Sequence, residues 1–214
     1  MQTKIRTYES DDATVTWDQH RCIHYAACVR GLPDVFDPDR KPWVEPENAE
    51  PEAVFEVVTR CPTGALHFRR PDGTDPETVP DRNRVTIAAD GPLYVRGDVT
   101  IQNAEGEVLL RDTRVALCRC GKSSNKPLCD NSHRDAFTDA GTLPDASGET
   151  ADEGGALTVN LATNGPLRIA GPLTVVGADG ATRAAEKAAF CRCGHSQNKP
   201  YCDGSHKQIE FVAP

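Results

Sequence analysis

The sequence contains few of the side chains that build an apolar core. Leu, Ile, Val and Phe together account for 41 of its 214 residues, beside one Met, two Trp and four Tyr. Disordered chains typically have a high net charge and contain less than about a fifth of Leu, Ile, Val and Phe together. Interactions other than apolar burial are therefore expected to hold this chain in a fold.

Positive charge is also in the minority. The chain has 24 Lys and Arg against 32 Asp and Glu, which gives a net charge of −8. A nucleic-acid-binding domain carries a clustered basic surface, so the charge argues against a nucleic-acid partner. An acidic surface suits docking to a basic surface of a partner protein.

Long apolar runs are missing as well. No window approaches the length of about 18 apolar residues that indicates a transmembrane helix, and the first ten residues lack the apolar stretch of a secretory signal peptide. We therefore predict no membrane association and a cytoplasmic location. In that reducing compartment, cysteine clusters more often bind metals than form disulfides.

Cysteine, in contrast, is abundant. The nine cysteines fall into three groups of three, and a histidine, His133 or His206, follows each of the last two groups. The groups are Cys22, Cys28 and Cys61; Cys118, Cys120 and Cys129; and Cys191, Cys193 and Cys202. An odd total cannot pair completely in disulfides, whereas three groups of three thiolates suit three metal centres.

The last two groups belong to an internal repeat. Residues 118–133 read CRCGKSSNKPLCDNSH and residues 191–206 read CRCGHSQNKPYCDGSH, so 12 of the 16 positions are identical. A second matching stretch precedes each motif, at residues 90–97 and 164–171. The chain therefore contains two copies of one unit, the first copy and the second copy.

Alternating apolar and polar residues ahead of each motif predict half-buried strands with glycine-containing turns between them. The alternating sets are Val85/Ile87, Leu93/Val95, Val99/Ile101, Leu157/Val159/Leu161, Leu167/Ile169 and Leu173/Val175. Two segments of turn-forming composition, residues 71–83 and 134–156, predict flexible linkers. Near the N-terminus, apolar residues at helical spacing predict a short helix over residues 51–60, followed by a strand over residues 66–68.

The spacing in each copy is Cys-x-Cys-x8-Cys-x3-His, which can bring three thiolates and one imidazole to a metal centre. This donor set fits a tetrahedral zinc ion. It also fits a 2Fe–2S cluster with two cysteines on one iron and a Cys–His pair on the other. The Cys-x-Cys pair argues against zinc, because structural zinc sites usually separate paired cysteines by two to four residues. The spacing alone leaves both interpretations open.

Both motifs resemble the CDGSH iron–sulfur domain, whose pattern is Cys-x-Cys, a Ser or Thr, a Pro and then Cys-Asp-Gly-Ser-His. The second copy matches throughout, and the first departs at Asn131, where the family has Gly. Asn tolerates positive φ, so a left-handed turn is expected there. The resemblance implies two 2Fe–2S clusters, one held by Cys118, Cys120, Cys129 and His133 and the other by Cys191, Cys193, Cys202 and His206.

Two further positions of each motif have expected roles. Asp130 and Asp203 are predicted to cap a short helix that carries the histidine. The hydroxyls of Ser123 and Ser196 are predicted to donate hydrogen bonds to cluster sulfur and so tune its reduction potential.

The N-terminal cysteines follow a different pattern. Cys22, Tyr25 and Cys28 occupy the first three positions of the bacterial ferredoxin spacing, with Tyr in place of the second cysteine, and Cys61-Pro62 supplies the last. Three thiolates suit a 3Fe–4S cluster, or a 4Fe–4S cluster whose fourth iron takes another ligand. His24 is the neighbouring donor of that kind, and the pattern does not decide whether His24 or Tyr25 contributes.

The same segment resembles the divergent single-cluster ferredoxin domain that precedes CDGSH repeats in some proteins. The shared features are Trp17-Asp18, Cys22-Ile23-His24, the stretch Cys28-Val29-Arg30-Gly31-Leu32-Pro33, and Cys61-Pro62 followed by Gly64-Ala65-Leu66. The resemblance implies one iron–sulfur cluster bound by the three N-terminal cysteines.

Together these features predict an α+β chain of three domains. They are a small ferredoxin-like cluster domain at residues 1–72 and two β-rich CDGSH-type modules at residues 83–140 and 157–214. The two modules are expected to pair within the chain as an intramolecular pseudo-dimer, so that the protein is a monomer. Cluster binding would then supply much of the folding free energy that the few apolar residues cannot.

The predicted function is one-electron transfer or redox sensing with a redox partner protein. We find no nucleotide-binding glycine fingerprint, no nucleophile elbow and no acid–base pair in the sequence, and we expect a carrier rather than an enzyme. Two alternatives stay open. One is delivery of clusters to an apo-protein acceptor, and the other is a zinc-binding interaction module.

Overall fold

The computed structural model describes residues 1–213, which form two compact units. Gln2–Thr78 form the first, called here the N-terminal unit, and residues 79–213 form the repeat unit, which contains both sequence copies. The N-terminal unit combines three strands with two helices, whereas the repeat unit is rich in strands and has one short helix among its described residues. No helix in the described part of the chain has the length and apolar character needed to cross a bilayer.

The N-terminal unit is a three-stranded antiparallel sheet with helices packed on it. Its strand order is β1–β2–β3, with Thr16 of β2 opposite Thr7 and His67. The elements are β1 (Ile5–Glu9), β2 (Thr14–Asp18), α1 (Ala27–Gly31), a 3-10 turn (Pro46–Asn48), α2 (Pro51–Thr59) and β3 (Leu66–Arg69). The predicted helix and the predicted strand after it are confirmed as α2 and β3.

Helix α2 forms where proline and valine spacing favour it. Pro51 occupies the first helical turn, where its missing N–H costs nothing. Val54, Val57 and Val58 lie on one face and are buried in a cluster with Phe68 of β3. Because a nine-residue helix is marginal alone, this packing against the sheet is what stabilises it, and it fixes the position of Cys61 just beyond the helix.

The repeat unit is built on one six-stranded sheet to which each copy contributes three strands. The first copy supplies β4 (Arg84–Ile87), β5 (Leu93–Gln102) and β6 (Val108–Leu117), and the second supplies β7 (Ala156–Leu161), β8 (Leu167–Val176) and β9 (Thr182–Phe190). β5 and β8 each join two predicted segments into one strand with a register irregularity. β6 and β9 were not predicted from the alternation.

Strands are paired between the copies in a reciprocal way. β4 lies parallel to β8, with Val85 opposite Val175, and β5 lies parallel to β7, with Val99 opposite Leu157. The first strand of each copy therefore pairs with the second strand of the other. Neither copy has a complete sheet of its own.

The core of the repeat unit draws buried apolar residues from all six strands. The alternation places them on the inward positions, as in β5, where Leu93, Val95, Val99 and Ile101 are all buried. A modest number of apolar side chains is enough because most of those on these strands point to one shared core. The expectation of disorder from composition is therefore wrong for this unit.

The segment predicted as a flexible linker between the copies is part of the repeat unit. Residues 134–155 run as turns and irregular chain, but Leu143 and Ala151 are buried. The Ala151 N–H donates to Thr174 Oγ1 over 2.9 Å, and Asp139 forms an ion pair with Arg119. Its polar composition resembles that of a linker, yet its backbone and apolar residues pack on the sheet.

Candidate metal centres

In the first copy, the four predicted donors form two pairs. Cys118 directly follows β6, and its Sγ lies 3.6 Å from that of Cys120. Across the loop, Cys129 Sγ lies 3.3 Å from His133 Nδ1. The loop is held to the strand by the Cys118 N–H, which donates to Pro127 O over 2.8 Å.

The second copy repeats this geometry. Cys191 directly follows β9, and its Sγ lies 3.8 Å from that of Cys193. Cys202 Sγ lies 3.4 Å from His206 Nδ1. The preserved sequence spacing thus produces a preserved arrangement, with a Cys–Cys pair and a Cys–His pair in each copy.

Each of these pairs has the separation of two donors that share one metal ion. Two sulfur atoms bound to a tetrahedral ion at about 2.3 Å lie about 3.8 Å apart, and a sulfur and an imidazole nitrogen lie about 3.5 Å apart. The observed separations are 3.6 and 3.8 Å for the Cys–Cys pairs and 3.3 and 3.4 Å for the Cys–His pairs. Within residues 1–213, no group of three or more His, Cys, Asp or Glu side chains is arranged as a single-ion site.

The buried thiols are strongly perturbed by one another. A hydrogen bond from Cys120 lowers the pKa of Cys118 to about 6, and the same contact, with burial, raises the pKa of Cys120. Cys191 and Cys193 repeat this, with the pKa of Cys191 lowered to about 6. Burial raises the pKa of Cys129 to about 12. Since metals bind thiolates, loading these sites must release protons.

The His133 imidazole lies in surroundings that favour its neutral form. Burial lowers its pKa, and the positive charges of Arg134 and Arg119 lower it further. Neutral imidazole is the form that binds a metal, so the arrangement suits a ligand role.

The motif aspartates brace their loops and do not cap helices. Asp203 accepts hydrogen bonds from the Gln197 N–H at 2.7 Å and the Ser205 hydroxyl at 2.6 Å, and Asp130 makes the equivalent contacts in the first copy. The bond from the Ser205 hydroxyl is the main cause that lowers the pKa of Asp203. The predicted N-cap is wrong, because α3 (Ser205–Gln208) starts after Gly204 with no side-chain cap.

The motif serines also bind the backbone of their own loops. The Ser123 hydroxyl donates to Leu128 O over 2.7 Å, and the Ser196 hydroxyl donates to Tyr201 O over 2.6 Å. Each hydroxyl hydrogen is thus directed to a carbonyl of its own loop, and the expected hydroxyl bonds to cluster sulfur stay a prediction. The backbone N–H of Ser196 is what faces the Cys191 sulfur, where it lowers the pKa of the thiol.

The two Cys-x-Cys loops meet backbone to backbone. Cys120 and Cys193 form an isolated antiparallel bridge. A Cβ on Gly121 would lie 2.4 Å from Cys193 O, and one on Gly194 would lie 2.5 Å from Cys120 O. Both glycines also have positive φ, +78° and +84°, which glycine alone adopts freely. The contact therefore requires glycine in both copies.

Buried arginines, missed in the sequence, lie between the paired cysteines. Arg119 is 1% exposed, donates to Gly91 O over 2.7 Å and pairs with Asp139. Arg192 is equally buried, and burial lowers its pKa to about 10. The negative charge of the Cys118 thiolate, in the other copy, acts in the opposite direction and raises that pKa. The sequence does contain a sign of their role, because an Arg occupies the middle position of both Cys-x-Cys pairs.

The three N-terminal cysteines line one small void. Burial raises the pKa of Cys28 to about 11, and the charges of Cys61 and Cys22 add to the rise, so the sulfurs lie close enough to interact. Tyr25 lines the same void, whereas His24 lines the larger cavity beside it. Both side chains are exposed. The predicted set of three cysteines is thus brought together.

Two tryptophans border this void with unsatisfied donors. The indole Nε1 atoms of Trp17 and Trp43 are buried and have no hydrogen-bond partner among residues 1–213. The two rings meet edge to face, with centroids 4.9 Å apart, and both line the void with the cysteines. A buried N–H without an acceptor is costly, and an anionic sulfur cluster in the void is an acceptor of the right kind.

Two known families match separate parts of this chain. A family described as "Divergent 4Fe-4S mono-cluster" matches residues 8–71, and one described as "Iron-binding zinc finger CDGSH type" matches residues 90–134 and 164–207. The chain belongs to the CDGSH iron–sulfur family, with a divergent mono-cluster domain ahead of its two CDGSH repeats.

Individual relatives cover separate parts of this CDGSH protein. The uncharacterized protein YjdI of Escherichia coli K12 is 36% identical over 64 residues, which are 30% of this chain and 84% of YjdI. A CDGSH iron-sulfur domain-containing protein 2 homolog of Drosophila grimshawi is 77% identical over 22 residues, which are 10% of this chain and 17% of that protein. The fly protein is therefore matched over a short stretch only.

Proposed function

We propose that this chain carries two 2Fe–2S clusters and one further iron–sulfur cluster and acts in one-electron transfer or redox sensing. The observation that carries the proposal is the division of each copy's donors into a Cys–Cys pair and a Cys–His pair, each with ion-sharing separations. A 2Fe–2S cluster uses two such pairs, one on each iron. A single zinc ion needs all four donors around one point.

In this proposal each CDGSH cluster has an inner and an outer iron. The inner iron is bound by the Cys-x-Cys pair, and the outer iron by the Cys–His pair. The ligands are Cys118, Cys120, Cys129 and His133 in the first copy and Cys191, Cys193, Cys202 and His206 in the second. A neutral imidazole in place of a thiolate should raise the reduction potential, as the histidines of Rieske centres do.

The third cluster belongs to the N-terminal unit, with Cys22, Cys28 and Cys61 as ligands. The description of the matching family favours a 4Fe–4S cluster over a 3Fe–4S cluster. A four-iron cluster then has one iron without a cysteine ligand, for which His24 and Tyr25 are the neighbouring donors. The unpartnered indole N–H groups of Trp17 and Trp43 support cluster binding in this void.

The two CDGSH modules form an intramolecular pseudo-dimer in this proposal, and the chain works as a monomer. The reciprocal pairing of β4 with β8 and of β5 with β7 supports it. The bridge between Cys120 and Cys193 supports electron exchange between the two clusters. Each of these cysteines is a ligand of one cluster, and the bridge brings their backbones into direct contact.

A metal and sulfide count with electron paramagnetic resonance tests the proposal. The aerobically and anaerobically purified protein should contain four CDGSH irons and four sulfides, plus those of the N-terminal cluster, and little zinc. After reduction, two 2Fe–2S signals should appear beside a signal of the third cluster. A colourless protein with zinc in excess over iron would instead establish the zinc-binding interaction module.

A second candidate function is delivery of clusters to apo-protein acceptors. It is favoured by the exposure of the Cys–His side of the second site, since Cys191 and Cys193 are buried while Cys202 and His206 are partly exposed. In the first copy Cys129 is buried, and only His133 of this pair is partly exposed. Incubation with an apo-ferredoxin separates the two functions, because an electron carrier keeps its iron and a donor loses it. In either case we place the protein in the cytoplasm, where thiols stay reduced.

A further inference from the structure

The N-terminal unit contains a cavity of about 960 Å³ beside the cysteine void. Its wall includes the aromatic rings of Tyr8, Trp17 and Trp43, whose centroids lie 6.3 Å apart for Tyr8 and Trp43 and 4.9 Å apart for the two tryptophans. Cys22 and Cys28 also line it. Binding sites for small organic molecules have this size and this aromatic, mostly apolar lining.

The charge around the cavity is of one sign. The chain has 32 acidic residues, yet no Asp or Glu in residues 1–213 lines this cavity, whereas Arg6, Arg40 and Lys41 do. Arg40 is balanced by Glu45, whose Oε2 lies 3.1 Å from its Nε. Arg6 and Lys41 form no ion pair with any described residue, so two positive charges remain available.

We propose that this cavity binds a small planar aromatic carboxylate. Its ring would pack against the tryptophans, and its carboxylate would pair with Arg6 and Lys41. Arg6 already lies over the Trp17 ring, with Cζ 6.0 Å from the centroid, so a positive charge and an aromatic surface are presented together. This site is separate from the proposed electron-transfer function, and binding of the carboxylate does not require that function.

The position of the cavity links its occupant to the N-terminal cluster. Trp17, Trp43, Cys22 and Cys28 line both the cavity and the cysteine void. An occupant therefore contacts the thiolates and indoles that surround the cluster. Binding should change the paramagnetic resonance signal of the N-terminal cluster and leave the two 2Fe–2S signals unchanged.

Calorimetry with three matched probes tests the proposal on the full chain with its clusters in place. 1-Naphthoate is the planar anion, 1-naphthamide the neutral control and 1-naphthylmethylammonium the cationic control. Naphthoate should bind about tenfold or more tightly than the ammonium, with the amide between them. Calorimetry reports binding even if the cluster assignment fails, so the two proposals fail separately.

Charge variants locate the site. The double variant Arg6→Gln, Lys41→Gln should weaken naphthoate binding about tenfold and leave the amide within about twofold. Arg69→Gln removes an exposed cation of the same unit that does not line the cavity, and it should leave naphthoate binding unchanged.

Two results overturn the proposal. One is equal affinity for the three probes, and the other is a loss of naphthoate affinity in Arg69→Gln that equals the loss in the double variant. A different occupant would be shown if none of the three probes gave heat and light scattering found the chain to be a dimer. If the Arg6→Gln, Lys41→Gln variant were then a monomer, the cavity would bind a second copy of the chain, and the proposal would be overturned.

Discussion

Cys120 of the first copy and Cys193 of the second lie opposite each other in an antiparallel bridge. The two residues are predicted ligands of different metal centres, so each centre has part of the other's loop as its neighbour. Arg192 extends this relationship, because its buried cation lies near Cys118 of the other copy. We therefore expect the two CDGSH sites to gain and lose metal together and not independently.

Gly121→Ala tests this contact. The new Cβ would lie 2.4 Å from Cys193 O, at a residue with φ +78°, so both a clash and backbone strain result. We expect a loss of about 3 kcal/mol or more in unfolding free energy, with iron lost from both CDGSH sites. Gly106→Ala is the matched control, because Gly106 has φ +86° and open space around its Cβ position. It should cost only about 1 kcal/mol and keep the iron. Iron loss confined to the first copy would contradict the coupling.

Asn83 connects the two copies through a buried side chain. Its Nδ2 donates to Gly155 O over 2.9 Å and to Pro172 O over 2.8 Å. Asn83→Ala leaves these carbonyls without their donor, at an expected cost of about 2–4 kcal/mol in thermal or denaturant unfolding. Asn103→Ala, which removes hydrogen bonds within one exposed turn, should cost less than about 1 kcal/mol. An equal loss of unfolding free energy in the two variants would show that the Asn83 hydrogen bonds do not stabilise the contact between the copies.

The sequence was informative where the chemistry is local. The repeated motif predicts the donor pairs because all four donors lie within 16 residues of one loop. β9 was missed because its residues, such as Ala184, Ala185, Ala188 and Ala189, are small and do not alternate in hydropathy. The exchange of strands between copies could not be predicted either, because parallel pairing joins segments far apart in sequence.

Ser196→Ala distinguishes a structural hydroxyl from one that tunes the cluster. The hydroxyl donates to Tyr201 O over 2.6 Å and accepts from the Asn198 N–H over 3.0 Å. Its removal should lower the unfolding free energy by about 1–2 kcal/mol and leave the reduction potential of the second cluster nearly unchanged. Protein-film voltammetry measures the potential. A large shift in potential at unchanged stability would show that the hydroxyl bonds to cluster sulfur.

Iron removal should melt the loops and spare the sheet. The sequence led us to expect that clusters supply much of the folding energy, but the repeat unit has its own buried core from all six strands. After chelation, amide hydrogen exchange should become fast in residues 118–133 and 191–206 and stay slow in β5 and β8. Far-ultraviolet circular dichroism should retain its strand signal. Global loss of protection would show that the core alone cannot hold the fold.

His206→Cys replaces the neutral donor paired with Cys202 by an anionic one. His206 Nδ1 lies 3.4 Å from Cys202 Sγ, so a thiolate at residue 206 can occupy the same position on the outer iron. The added negative charge should stabilise the oxidised cluster and lower its reduction potential, on the order of 100 mV. His195→Gln is the matched control, because His195 is exposed in the same loop and its Nδ1 contacts Cys193 O. The potential of the first cluster should stay close to its wild-type value in both variants. An unchanged potential in His206→Cys would remove His206 from the ligand set.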